Sequence, residues 1–125
     1  MLLDSSVFID LIRKYPPATE SFNKVLNRQS ASIIAKLELI AGLKSKREIK
    51  SIENMFKDLQ IKILPMTEEI SDMSENIFVK YYHSHGIGIL DSFITATALV
   101  YDEELVTRNT KHFDFIPNLK LIKPY

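Results

Sequence analysis

The residues of this chain that could do chemistry are acids set into otherwise apolar surroundings. In MLLDSSVFIDL, Asp4 interrupts a run in which Leu2, Leu3, Val7, Phe8, Ile9, Leu11 and Ile12 read as core. Glu38 stands beside the stripe of Leu37, Ile40 and Leu43, and the small Ala41 and Gly42 three and four residues on leave open space around its carboxylate. Asp91 follows GIGIL, and Asn109 and Asp114 lie in TRNTKHFDFIP. Carboxylates from segments this far apart, brought together, repel and raise one another's pKa unless a cation sits among them. Oxygen donors in that number favour Mg²⁺ or Mn²⁺.

Such convergence needs elements that deliver each acid to one place. Residues 1–4 read as a buried strand and Ser5–Lys14 as a helix, stopped by Tyr15-Pro16-Pro17. A second helix spans 18–28 with Pro17 near its first turn. ASII (31–34) reads as a strand, followed by the helical AKLELIAGLKSK, which puts Glu38 one turn in. Ile49, Ile52, Phe56 and Leu59 recur at steps of three and four, an amphipathic helix over 47–59. IKIL (61–64) is a strand ended by Pro65, and Thr67 caps a long helix carrying Ile70, Met73, Ile77 and Tyr81. Gly86 and Gly88 break it, Asp91 starts the helix DSFITATALVY, and ELVT (104–107) and LKLI (119–122) are the last strands. Strands that are apolar throughout are covered on both faces. The expected fold is a three-layer α/β/α sandwich around a mainly parallel sheet of four to five short strands, one domain over residues 1–125. Sites in such sheets form beyond the carboxyl ends of the strands, where Asp4 falls.

Composition narrows the classes. The 125 residues suit one domain, and 46% hydrophobic with 26% charged residues is ordinary globular composition. Apolar runs fall short of the ~20 residues of a membrane span, and Asp4 interrupts any signal-peptide pattern at once. The chain has no cysteine, which suits a reducing cytoplasm and excludes disulfides and thiolate metal sites. Sixteen basic residues balance sixteen acidic ones, so net charge lends no support to nucleic-acid binding.

Each acid has an ordinary reading as well. Asp4 before Ser5-Ser6 and Asp91 before its helix are common helix caps. Glu38 alone is a surface helical glutamate, Asn109 a turn residue and Asp114 a surface charge. Weight comes from the set.

That set carries a resemblance. LLDSSVFIDL, SIIAKLELIAGL, GIGILDSFITATAL and LVTRNTKHFDFIPNLKLI resemble, in order from residue 2 to about 122, the four sequence blocks of PIN-domain ribonucleases, and among them the VapC-type toxins of toxin–antitoxin pairs. On that resemblance Asp4, Glu38 and Asp91 match the family acids, and Asn109 matches a fourth position that is often Asp in the wider family. Ser6 and Thr107 match hydroxyl positions near the metal. Asp114 matches a less regular acid that is not taken as a ligand. The amide at 109 leaves the pocket one charge less negative, which counts against a second tightly held ion.

The resemblance implies a Mg²⁺-dependent endoribonuclease (with Mn²⁺ as a substitute) that hydrolyses structured RNA such as tRNA or rRNA. Asp4 and Asp91 would contact the metal directly or through water, Glu38 would hold and help deprotonate a water of the ion, and Asn109 would orient water or phosphate. It also implies a cognate VapB-type antitoxin covering the acidic site and a homodimer. The 47–59 helix, with Met55 and Phe56, offers a surface for such a dimer, although core packing is the default for its stripe.

Other candidates are weaker. His83, His85 and His112 read as solvated surface histidines, and Gly86-Ile87-Gly88 is a helix stop rather than a phosphate cradle. Without a G-x-S-x-G elbow, Ser5 and Ser6 are poor nucleophiles. Lys44, Lys46, Arg47 and Lys50 read as a solvated helix junction, with RNA phosphate contact as the alternative. Tyr81 and Tyr82 read as packing rather than base stacking. An aspartyl-phosphate phosphatase usually has a second Asp two residues after the first, where this chain has Ser6. A non-catalytic protein- or RNA-binding domain of the same fold has no physical use for clustered acids.

Overall fold

The computed structural model describes residues 1–24 and 29–125. Among these residues five short strands, β1 (Leu2–Leu3), β2 (Ser30–Ser32), β3 (Lys62–Leu64), β4 (Leu105–Val106) and β5 (Leu121–Ile122), form one sheet in the order β3-β2-β1-β4-β5. Every pairing is parallel. The chain runs outward from β1 through β2 to β3, then returns to lay β4 on the other side of β1. Parallel sheets of this kind carry their sites at that reversal, beyond the carboxyl ends of the two central strands.

Among the described residues, six α-helices cover the sheet: α1 (Ser5–Ile12), α2 (Pro16–Lys24), α3 (Ile33–Ala41), α4 (Lys46–Asp58), α5 (Glu68–His85) and α6 (Ile89–Val100). Successive strand residues point to opposite faces. Leu3 and Val106 therefore join Val7, Phe8, Leu39, Ile52 and Phe56 in one core, while Leu2 and Leu105 join Ile94, Ala98 and Phe113 in another. A third cluster, with Ile70, Ile77 and Ala96, binds α5 to α6. Strand–helix layering on both sheet faces is the α/β/α sandwich expected from the sequence. Among the described residues, no helix is long and apolar enough to cross a membrane.

Several boundaries differ from the sequence reading, each for a local reason. The strand expected over 31–34 is Ser30–Ser32, because the Ser32 hydroxyl caps α3 by accepting from the Ile34 N–H at 3.1 Å. That draws the β-branched Ile33 and Ile34 into the helix. α3 ends at Ala41 with Gly42 as its C-cap, and Ser45 starts α4 separately. α1 stops at Ile12, with Lys14 at positive φ before the prolines. Both Pro16 and Pro17 lie inside α2, and positions 25–28 of the helix expected there fall outside the described residues. Thr67 caps α5 as expected, and Gly86 ends it in the left-handed conformation at φ 65°. Gly88, however, opens α6 rather than breaking α5, so Asp91 is the third residue of α6 and not its cap.

Candidate active site

Asp4 lies one residue beyond β1 and serves two purposes. Its Oδ1 accepts from the Ser5 N–H at 2.8 Å, which caps α1. Its Oδ2 accepts from the Thr107 hydroxyl at 2.8 Å and from the Ser6 hydroxyl at 3.2 Å. Thr107 is fully buried and stands one residue beyond β4, the strand beside β1. The two residues are therefore brought together by the sheet reversal, and Asp4 N donates to Val106 O at 3.0 Å across the same strand pair. Only 5% of Asp4 is exposed.

Glu38, in the second turn of α3, and Asp91, in the first turn of α6, face the same place. Burial raises the pKa of Glu38, and the charges of Asp4 and then Asp91 raise it further, against a lowering hydrogen bond with Ser5. Asp91 is likewise raised, by burial first and by Asp4 second, and pulled back by His112. His112 Nδ1 sits 3.4 Å from Asp91 Oδ2. Three acids, one at the end of β1 and one each on α3 and α6, thus lie within electrostatic reach of one another. Glu38 as a whole is partly exposed beside the exposed Ala41 and Gly42, while its Oε1 is buried without a hydrogen-bond partner.

Asn109 reaches the edge of this pocket through its backbone, its N–H donating to Thr107 Oγ1 at 3.0 Å, while its side chain is exposed. Asp114 is exposed in the loop beyond, and no contact among the described residues ties it to the three acids. The histidines divide: His83 and His85 are exposed on the last turn of α5, His85 stacked on Phe115 at 4.2 Å. His112 is also exposed but is Asp91's partner, which the sequence reading did not foresee.

With this geometry in place, comparison with known proteins is decisive. The sequence model of the family described as PIN domain matches residues 1–117. The chain belongs to the PIN-domain family. Within the family it is of the VapC type: it is similar to Ribonuclease VapC19 of Mycobacterium tuberculosis, with 31% identity over 123 residues that make up 95% of this chain and 96% of that protein. Its fold is similar to a toxin–antitoxin complex from Klebsiella pneumoniae, at 27% identity and a TM-score of 0.79, covering 99% of this chain and 97% of that one. It is similar also to VapBC-1 from nontypeable Haemophilus influenzae, at 26% identity and a TM-score of 0.81, covering 98% and 96%.

Whether this PIN domain suits a divalent ion is a question for its donor set. Among the described residues, no three His, Asp or Glu side chains form a ready-made cage. Mg²⁺ does not need one, since it keeps several waters and is usually held through one or two carboxylates. Two acids with raised pKa values around a third, and a buried carboxylate oxygen without a donor, are what a hard cation would relieve. The residues fit the ion.

A second polar group adjoins the acids. Asp10, on α1, is 6% exposed and accepts from Arg108 Nη1 at 2.8 Å and from the Tyr125 hydroxyl. Burial and then this bond push the Tyr125 hydroxyl above its usual range. The Arg108 guanidinium lies 5.5 Å from the ring centres of both Tyr15 and Tyr125. Asp10 had the same signal as Asp4, an acid among Ile9, Leu11 and Ile12, whereas nothing local marks Tyr125 or Arg108 as its partners. The basic stretch Lys44, Lys46, Arg47 and Lys50 is exposed around the start of α4, as expected of a solvated junction.

Proposed function

We propose that this PIN domain is a metal-dependent endoribonuclease, the toxin of a toxin–antitoxin pair, hydrolysing phosphodiester bonds in structured RNA such as tRNA or rRNA. The observation that carries this reading is Glu38 Oε1, buried and unpartnered beside Asp4 and Asp91. Mg²⁺, or Mn²⁺ in its place, would screen the phosphate's charge and acidify water. Asp4 and Asp91 would hold the ion, Asp4 being fixed by Ser6 and Thr107 so that its geometry does not relax. Glu38 Oε1 would take the proton of the attacking water, and its raised pKa moves it towards the operating pH of a general base. The exposed Asn109 amide would orient the phosphate at the mouth of the pocket.

The partner proposed is a VapB-type antitoxin, on the strength of the toxin–antitoxin complexes whose toxin fold this chain shares. A homodimer is also proposed, supported by the large exposed apolar side chains Val79 and Tyr82 on the later turns of α5 and Ile89 and Leu90 at the start of α6; sedimentation of the isolated protein as a monomer at micromolar concentration would remove it. The absence of cysteine suits a reducing cytoplasm.

The test is cleavage of total RNA by the purified protein with Mg²⁺, with Mn²⁺ and with chelator, wild type against Asp91→Asn, and mapping of the new RNA ends. Discrete cleavage sites that vanish with chelator and with the variant are expected. Cleavage equal in both proteins and in all three solutions removes the acids and the ion from the chemistry.

A further inference from the structure

We propose that the groove between α1 and the loop after β4 is a phosphate subsite, which takes a backbone phosphate of the RNA strand next to the one being cleaved. The proposal rests on the ribonuclease reading and extends it. The groove, of about 370 Å³, is lined by Ser6, Ile9, Asp10, Arg13, Arg108 and Asn109. It is continuous with the acidic pocket, because Ser6 donates to Asp4 Oδ2 and accepts from the Arg108 N–H at 3.2 Å. Asn109 lines it and, through its N–H on Thr107 Oγ1, borders the pocket too. A strand with one phosphate at the acids therefore runs directly past the two arginines.

The arginines are arranged to receive an anion. Arg108 is held from three sides, by the buried Asp10 through Nη1 and by the rings of Tyr15 and Tyr125. Its Nε and Nη2 protons have no acceptor among the described residues. Holding a guanidinium in place before binding lowers the entropy lost when it meets a phosphate, and its planar fork suits phosphate oxygens. Arg13, at the C-terminal end of α1, is exposed and makes no ion pair or hydrogen bond through its side chain among the described residues. Asp10 neutralises one of the two positive charges, so one remains in the groove. That charge sits against a neighbouring pocket of carboxylates, a contrast that sets where a polyanion can and cannot lie.

The test is binding without cleavage. A short single-stranded RNA oligonucleotide of mixed sequence is titrated in chelator over a range of salt, against wild type, Arg13→Ala and Arg108→Ala. A series of the same oligonucleotide, each with one phosphate replaced by an uncharged methylphosphonate, is then titrated against wild type and Arg13→Ala. Removing Arg13 is expected to weaken binding for every sequence and to lower the log–log salt slope by about 0.7, the value for one phosphate contact on a single strand. One uncharged linkage is expected to weaken wild type but not Arg13→Ala. Arg108→Ala strands Asp10, so the exposed Arg13 keeps the test decisive where Arg108→Ala fails to fold. RNA binding with the same slope and the same linkage profile in wild type and Arg13→Ala overturns the subsite while leaving the nuclease reading intact. No RNA binding by wild type at low salt also overturns the subsite, while the nuclease reading is tested separately by metal-dependent cleavage of total RNA.

Discussion

Thr107 donates a 2.8 Å hydrogen bond to Asp4 Oδ2 from 103 positions away in sequence. The bond exists because β1 and β4 are neighbours in the sheet, and both residues are the first beyond their strands. Thr107 Oγ1 also accepts from Asn109 N–H, so one buried hydroxyl fixes an acid and the start of the following loop.

Thr107→Val keeps the shape and removes that hydroxyl. It leaves the Asn109 N–H without its partner and Asp4 with one donor fewer. A loss of about 1–3 kcal/mol of stability is expected in denaturant unfolding, with RNA cleavage reduced about tenfold or more. Thr107→Ser, which keeps the hydroxyl, should recover most of both.

The ion-free protein should show the cost of its crowded acids as a pH dependence. Glu38 and Asp91 hold protons more tightly when folded than at their ordinary values of 4.5 and 3.8. For a carboxyl raised by folding, the penalty is absent below the ordinary value, grows as pH rises to the raised value and is full above it. Thermal unfolding of Glu38→Gln and wild type in chelator should therefore coincide near about pH 4 and diverge towards neutrality, the variant melting a few degrees higher. Mg²⁺ at about 100 times its Kd should stabilise wild type by about 2.7 kcal/mol and the variant by less.

The fold was legible because Leu2-Leu3, Ile61–Leu64, Leu105-Val106 and Leu121-Ile122 belong to short, mostly apolar runs, as strands covered on both faces must. β2 was the exception: its residues are Ser30, Ala31 and Ser32, and the β-branched pair beside it is helical because Ser32 caps. Asp4, Glu38 and Asp91 could be found as acids in apolar settings, and the alternation of strand and helix said they could meet. Asp91 as the third residue of α6, the His112 contact and the Asp10–Arg108–Tyr125 group could not be read, since each depends on loop paths that local sequence does not encode.

Breaking that last group should be asymmetric. Arg108 is 45% exposed and can be hydrated alone, but Asp10 is buried. Arg108→Met should cost about 3 kcal/mol by leaving an uncompensated buried carboxylate. Tyr125→Phe should cost only about 1 kcal/mol, the value of one hydrogen bond. Urea unfolding of the two variants measures the difference directly.

Everything proposed for the site requires one pocket that pairs Asp4, Glu38 and Asp91 with a divalent ion, and calorimetric titration of Mn²⁺ into the protein at neutral pH tests it most directly. Wild type is predicted to bind at a site that Asp4→Asn and Asp91→Asn each abolish, with both variants still folded. Mn²⁺ binding of equal strength in wild type and both variants, or none in any of them, would contradict it.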